Sequence, residues 1–371
     1  MRRASWRWAA VAVAVAALVS LPTVIGALPA RSSDLSATDL LAKVKASGSV
    51  GHSGYAESVG GLDLPLTDDF TALTSLLGDR TRIRSWWRGE EDWRVDAVQT
   101  TGEAGTYRDA GGIWSWDYEQ DAIVRTSEPT VRLPRLSDVE PAALARRLLS
   151  EARAADVSRI PSRRVAGRDA AGLRLRPSDN GTTIDRVDVW VDPASGLALR
   201  VDIYGKDTPR PVLETAFLDF SDATPPPSAT LFTPAEPGKV RGETNPDLAA
   251  AINVFSPAVP PTTLAGLPGR PCLIGLGSVG TYGSGLTLLV AVPLPGRVSW
   301  PLREQLTKTP GATQTEQGVR IAVGPLSLLL TDPLAGAQSR RSWLITGTVT
   351  ATTLDAAAAQ LRADPPPERP R

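Results

Sequence analysis

The chain has 371 residues and no net charge at pH 7, with a sequence pI of about 6.7, so no basic excess suits it to nucleic acid. A single cysteine, Cys272, excludes a disulfide framework, a thiolate metal cluster and a lipobox, and a single histidine, His52, excludes a His-rich metal site. Without its first thirty residues the chain keeps about 340, too many for one typical domain and suited to two.

Arg2, Arg3 and Arg7 precede an apolar run over 9–19 that continues less regularly to Ala30. This is an export segment, and at about 20 residues it is long enough to span a bilayer. Residues 1–30 are therefore either a retained anchor or a signal removed after Ala30. In both cases the rest of the chain is expected outside the cytoplasm, with the arginines on the cytoplasmic side. Arginine supplies nearly all the positive charge, and Ala, Pro and Gly are abundant, a composition of the GC-rich, actinobacterial kind.

Ser36 followed by Asp39 reads as a capping box for a short helix with Leu40, Leu41 and Val44 on one face. A strand over 51–59 leads into 62–66, and Thr67 or Asp68 caps a helix bearing Phe70, Leu73, Leu76 and Leu77 that stops at Gly78. Strands follow at 80–88 and 93–99, the second alternating Trp93, Val95 and Ala97 with Arg94 and Asp96. A meander is expected over 106–109, 113–118 and 122–126, turning at Ala110-Gly111-Gly112. A helix over 137–155, with Asp138 as N-cap and Pro141 in its first turn, interrupts the series.

Strands resume at 173–176, 184–191, 197–204 and 212–220, the middle pair joined by Asp192-Pro193-Ala194-Ser195-Gly196. Val187, Val189 and Val191 share one face, as do Leu197, Leu199, Val201 and Ile203. Short connections make the whole sheet antiparallel. Residues 221–261 are rich in Pro and small residues and read as a domain edge and linker. Beyond them a smaller α+β unit is expected, with strands at 286–292, 319–331 and 342–349 and helices at 301–307 and 354–361, the last capped by Thr352 or Thr353. Its helices should cover one face of its sheet. Residues 364–371 read as a disordered tail.

Catalytic motifs are weak. Gly275-Leu276-Gly277-Ser278-Val279-Gly280 matches G-x-G-x-x-G by letter, but a turn and strand follow where a dinucleotide site needs a helix. No G-x-S-x-G occurs. His52 reads as an exposed turn or strand-edge residue rather than a general base. Asp185, Asp188, Asp192 and Asp202 read as the wet face of a hairpin beside arginines, and Asp68-Asp69 and Glu90-Glu91-Asp92 as turn or helix-start residues. No catalytic site, metal site or cofactor is expected.

The tryptophans are the informative residues. Trp86, Trp93, Trp114, Trp116 and Trp190 lie on strands and are candidates to line an apolar ligand pocket, with core filling as the open alternative. Trp114 and Trp116 have the same parity and share a face.

Gly111-Gly112-Ile113-Trp114-Ser115-Trp116-Asp117 resembles the glycine turn and W-x-[YW]-[DN] strand of LolA-like lipoprotein carriers and of the N-terminal domain of MucB/RseB, extracytoplasmic regulators of envelope-stress sigma factors. Val165-Ala166-Gly167-Arg168, the hairpin over 189–199, and Leu231-Phe232-Thr233-Pro234 with Pro237-Gly238 are similar to later parts of that family. Thr281-Tyr282-Gly283-Ser284-Gly285-Leu286 and Ile345-Thr346-Gly347-Thr348-Val349 resemble the small C-terminal domain of MucB/RseB, which simple carriers lack.

The resemblance implies an α+β fold. A LolA-like half-open antiparallel β-barrel with a helical lid spans 34–240, a linker spans 241–261, and a smaller α+β C-terminal domain spans 262–363. It implies no enzyme, but a protein that takes a lipid or lipoprotein acyl chain and engages a membrane-bound anti-sigma factor. The alternatives are a LolA-type lipid or lipoprotein carrier and a structural envelope module with a filled core. An envelope hydrolase is the third class.

Overall fold

The computed structural model describes residues 29–61, 80–98, 103–117, 122–126, 135–206, 208–233, 240–242, 258–270, 277–333 and 341–367. The apolar N-terminal run, the helix expected from Thr67 or Asp68 and most of the linker lie outside them.

The first part of the chain forms helix α1 (Ala37–Ala46), strands β1 (His52–Gly60), β2 (Arg80–Gly89), β3 (Asp92–Val98), β4 (Glu103–Asp109), β5 (Gly112–Asp117) and β6 (Ala122–Thr126), then helix α2 (Pro141–Leu149). Strands β7 (Val157–Val165), β8 (Arg168–Leu175), β9 (Ile184–Val191), β10 (Ala198–Gly205) and β11 (Leu213–Ser221) follow, then the single turn α3 (Pro227–Thr230) and strand β12 (Val240–Gly242). All twelve strands make one open sheet in the order β12-β6-β5-β4-β3-β2-β1-β11-β10-β9-β8-β7. It is antiparallel except at its end, where β12 runs parallel to β6. The strands expected from the sequence all pair antiparallel, and β12, which was not expected, runs parallel because the chain crosses the sheet after β11 instead of turning back beside it.

The capping box of α1 is present: the Ser36 hydroxyl accepts from the Asp39 amide at 3.1 Å, and the Asp39 carboxylate accepts from the Ser36 amide. Leu40, Leu41 and Val44 pack with Leu144, Ala145 and Leu149 of α2 onto Val187, Val189, Val191, Val201 and Ile203. This helix-covered side is the inner face of the sheet. The β9–β10 turn passes so close to α1 that a Cβ at Gly196, where φ is +78°, would stand 2.8 Å from the Lys43 carbonyl oxygen. Only glycine fits that turn at that distance.

Several expectations need correction. The helix expected over 137–155 is confined to Pro141–Leu149, and Glu140 rather than Asp138 caps it, accepting from the Ala143 amide at 2.6 Å. Asp138 instead closes a preceding 3₁₀ turn by accepting from the Arg135 amide at 2.9 Å. Strand β7 was not expected, since its charged residues and Pro161 hide the alternation. Leu197 and Leu199 do not share a cluster with Val201 and Ile203. A register shift between Ala198 and Arg200 puts Ala198 with the valines and sends the two leucines to the neighbouring aromatic cluster.

The remainder forms hairpin β13 (Thr263–Leu264) and β14 (Leu267–Pro268), strands β15 (Gly280–Tyr282) and β16 (Leu289–Leu294), helix α4 (Gly296–Lys308), strands β17 (Thr313–Thr315), β18 (Gly318–Val323), β19 (Leu326–Thr331) and β20 (Ser342–Gly347), and helix α5 (Ala351–Ala363). Its six-stranded antiparallel sheet has the order β15-β16-β20-β19-β18-β17. Leu354, Ala357, Ala358 and Leu361 of α5 pack with Leu289, Ala291, Leu329, Trp343 and Ile345. Leu306 of α4 packs with Leu294, Val319, Ile321 and Leu330.

Leu329 and Leu330 point to opposite faces, so the two helices cover opposite faces and not one, as the sequence suggested. The continuous run Leu328-Leu329-Leu330 is that of a strand buried on both sides. Helix α4 begins before the expected 301–307, with Pro301 inside it, and Thr350 rather than Thr352 or Thr353 caps α5.

The two sheets meet at the turn after β8. Thr182 makes a bridge with Val349, the Thr183 amide donates to the Thr348 carbonyl at 3.0 Å, and the Thr350 amide donates to Gly181 at 2.9 Å. The Thr287 hydroxyl donates to Asp179 at 2.7 Å, and Glu151, just beyond α2, accepts from the Gly285 amide at 2.6 Å and from Arg270 at 3.0 Å.

Candidate functional site

Register decides which tryptophans can act together. His52, Trp87, Trp93, Arg108 and Ile113 are neighbours across successive strands on the inner face, whereas Ser53, Trp86, Arg94, Tyr107, Trp114 and Arg125 form the matching row on the outer face. Trp116 pairs with Gly105 and lies on the outer face beside Trp114, as its parity required. Trp190 pairs with Arg200 and Gly172, facing away from Val187, Val189 and Val191, and its Nε1 donates to Pro161 at 3.2 Å. The five candidates therefore do not converge on one pocket.

The inner group is a filled aromatic cluster. Trp87 and Trp93 stack 5.9 Å apart, and His52 stacks on Trp87 at 6.0 Å with Phe217 at 6.1 Å and Phe220 at 6.2 Å around it. Trp93 is 3% exposed, and Trp190, 8% exposed, touches the same apolar cluster from the opposite side of its strand. Both indole N–H groups of the stack are satisfied by carbonyls, Trp87 donating to Gly48 and Trp93 to Glu90. Trp87 was missed as a site residue, although its position opposite Trp93 follows from the short turn at Glu90-Glu91.

His52 is not an exposed turn residue, because its side chain has no accessible surface. Its Nε2 lies 3.1 Å from the Glu140 carboxylate and its Nδ1 3.0 Å from the Val50 carbonyl oxygen, so both ring nitrogens meet acceptors. Burial pushes the Glu140 carboxyl upward, but His52, the nearby Arg146 and the Ala143 amide outweigh it and hold the acid below the usual range. Burial pulls the Arg146 guanidinium down, against the charges of Glu140 and Glu90, and its plane covers Trp87 at 4.8 Å. This constellation joins the sheet to the start of α2. With every face of the ring occupied, it leaves no room for a substrate.

Of the hairpin acids, Asp185 stays partly exposed beside Arg176 and Arg186, as expected, while Asp188, Asp192 and Asp202 are buried. Asp188 is 3% and Asp202 2% exposed, in neighbouring register with each other and with Glu214. Arg174 grips Asp188 through two hydrogen bonds of 2.6 and 2.7 Å, and Arg200 holds Asp202 at 2.9 Å. Burial, aided by Glu214 and opposed by Arg200 and Arg163, pushes Asp202 up to about 6.

On the outer face Trp86, Trp114 and Trp116 are half-buried. Arg94 lies over both Trp86 and Tyr107, Arg125 lies over Trp114, and Phe232, from the crossing after α3, packs on Tyr107 at 4.9 Å and Trp114 at 5.2 Å. An open cleft of about 500 Å³ lies between Lys45, Gly48 and Ser49 and the β2–β3 turn, where Glu90, Glu91 and Asp92 also line it. Where G-x-G-x-x-G was read, Gly277 is in a turn and Gly280 starts strand β15, with no helix to meet a pyrophosphate. Among the described residues no group of three His, Cys, Asp or Glu side chains is disposed to hold a metal ion. No helix among them is long and apolar enough to cross a membrane.

A large, almost wholly antiparallel sheet with helices on its inner face is the LolA-like class of fold, and the small sheet that follows it is what the MucB/RseB type adds. Within that class the chain has the MucB/RseB-type fold. It is similar to MucB in the MucA/MucB complex of Pseudomonas aeruginosa, with a TM-score of 0.50, 16% identity, and coverage of 87% of this chain and 96% of that one. MucB bound to MucA(peri) gives 0.48 and 17% over the same coverage. A LolA superfamily protein from Nitrosomonas europaea is 12% identical, covers 53% of this chain and 98% of its own, and has a TM-score of 0.26. No family model matches the sequence, and no curated protein matches it.

Proposed function

We propose that the chain is a non-enzymatic extracytoplasmic protein that takes an acyl chain of a lipid or lipoprotein on its first sheet. Its second sheet engages a membrane-bound partner of the anti-sigma type. The observation that carries this reading is the MucB-type fold over 87% of the chain, because the matched MucB was solved in a complex with MucA. The division into units at 34–240 and 262–363, and an export or anchor segment at 1–30, belong to the same proposal.

The placement of the tryptophans refines where the acyl chain would lie. The stack of Trp87, Trp93 and His52 is filled, and Val95, Ala97 and Ile113 beside it are buried as well, so an acyl chain on the inner face would enter by displacing side chains packed there. Organic extraction of the purified full chain followed by mass spectrometry is expected to release acyl lipid. Val95→Trp, which overpacks this buried position, should reduce the yield severalfold, with a cooperative thermal transition as the check that the fold persists. A chain that carries no lipid, and takes up none when offered, would remove the reading.

The filled aromatic cluster also favours a second reading, a structural envelope module. It predicts that no substitution on the inner face changes the binding of any lipid.

A further inference from the structure

The outer face of β2 has a pattern that the acyl-binding reading does not use. Arg80, Arg82, Arg84, Trp86 and Arg88 occupy alternate positions and so project from one side of the strand, while Ile83, Ser85 and Trp87 face the core. The arginines outnumber their acids. Arg80 and Arg82, 60% and 53% exposed, share the single carboxylate of Glu57. Arg84 is exposed and makes no hydrogen bond or ion pair among the described residues. On β6, Arg125 is exposed and, among the described residues, donates to the Gly111 carbonyl and pairs with no acid. Half-buried Trp86, Trp114 and Trp116 lie between these cations.

Arginines alone would suit any polyanion. Two exposed aliphatic side chains narrow the choice. Leu218, 54% exposed, stands in the bulge where β11 slips past Tyr55 and Ala56, two strands from β2 across β1, and between the inward-facing Phe217 and the outer-face Asp219. Leu231, 59% exposed, immediately precedes Phe232, whose ring rests on outer-face Tyr107 and Trp114. Water-exposed leucines flanking an arginine stripe with interfacial tryptophans match a surface that offers anionic groups and apolar depth together.

We propose that the outer face of β1 and β2, beside the crossing segment that covers part of β2 to β4, docks on an anionic lipid surface, Arg80, Arg82 and Arg84 meeting headgroup phosphates and Leu218 and Leu231 entering the acyl boundary. The inference rests on the reading that the chain works at a membrane, where tethering by residues 1–30 would hold this face at a high local concentration of lipid.

The test is hydroxyl-radical footprinting of the full chain in nanodiscs of neutral phosphatidylcholine and in nanodiscs with added phosphatidylglycerol. Oxidation of Leu218 and Leu231 is expected to fall severalfold on the anionic discs only, and to recover in high salt and in the R80Q/R82Q/R84Q variant. The R147Q/R153Q variant, altered at exposed arginines near α2, should behave as the parent. Equal oxidation on both lipids, or protection that survives R80Q/R82Q/R84Q, would overturn the proposal, as would protection by soluble dextran sulfate without protection by discs. Retention of the chain in neutral discs after an alkaline wash is read separately. Its loss counts against the tether alone, and the difference between lipids decides the face.

Discussion

Trp87 and Trp93 face each other across the β2–β3 ladder with their ring planes 5° from parallel, and the buried imidazole of His52 extends the stack from the next strand. Three consecutive strands are thereby pinned at one level by aromatic rings. The stack separates tryptophans that hold the sheet together from those on its outer face.

Trp93→Ala should cost about 3–5 kcal/mol, the loss expected for a buried aromatic side chain. Trp114→Ala, half-buried under Arg125 and Phe232, should cost roughly half of that or less, since part of its surface already meets water. Chemical denaturation at constant m-value compares the two. Equal losses would show that the outer face is packed as tightly as the inner.

Glu140→Gln should destabilise the chain by about 3–5 kcal/mol, because it leaves Arg146 without its buried counter-charge and removes the carboxylate beside His52. The pH dependence follows from the lowered folded pKa of Glu140. Above the carboxyl's unfolded pKa its stabilisation is fully present, and it is lost as pH falls through the folded value. Thermal midpoints of the parent should therefore drop in acid, and the variant's should drop less over the same interval.

Asp202 has the opposite sign. Its pKa rises from 3.8 to about 6 on folding, so between these values the folded chain keeps a proton that the unfolded chain has released, and stability falls as pH rises through this window. Asp202→Asn should raise stability by about 1–2 kcal/mol at pH 8, with Arg200 retained by Glu214, which lies 2.5 Å away. The gain should vanish below the unfolded pKa. Urea midpoints at acid and alkaline pH read the difference.

The contact between the sheets hangs on few groups. Glu151→Ala removes the acceptor of the Gly285 amide and of Arg270, at a cost of about 1 kcal/mol for a partly exposed pair. Hydrogen exchange at Gly285 and at Thr350, whose amide donates to Gly181, should accelerate together, while amides of β19 remain unchanged. Acceleration confined to Gly285 would mean that Thr182 and Thr183 hold the sheets without it.

Much of this architecture was legible from local chemistry. Ser36 and Asp39 announce α1, Asp192 to Gly196 announces a hairpin, and Trp114 and Trp116 share a face as their parity requires. What stayed hidden depends on register or on distance along the chain. Trp86 and Trp93 read alike until the β2–β3 pairing sets them on opposite faces. Eighty-eight residues separate His52 from Glu140, and no local pattern foretells that a lone histidine meets a helix cap. Strand β7 was concealed because Arg159, Arg163 and Arg164 fall on both parities, and the bulge at Leu199 broke a period that had looked continuous.

The crossing after β11 has a further consequence. By returning as β12 it occupies the backbone of β6 with a strand only three residues long, while the far edge, β7, carries Pro161 and a register shift between Ile160 and Arg163. Short strands, proline and bulges are the devices that stop sheets from recruiting strands of other chains. A twelve-stranded sheet protected at both ends in this way is poorly suited to partners that would bind by adding a strand. It leaves its two broad surfaces as the ground on which recognition can occur.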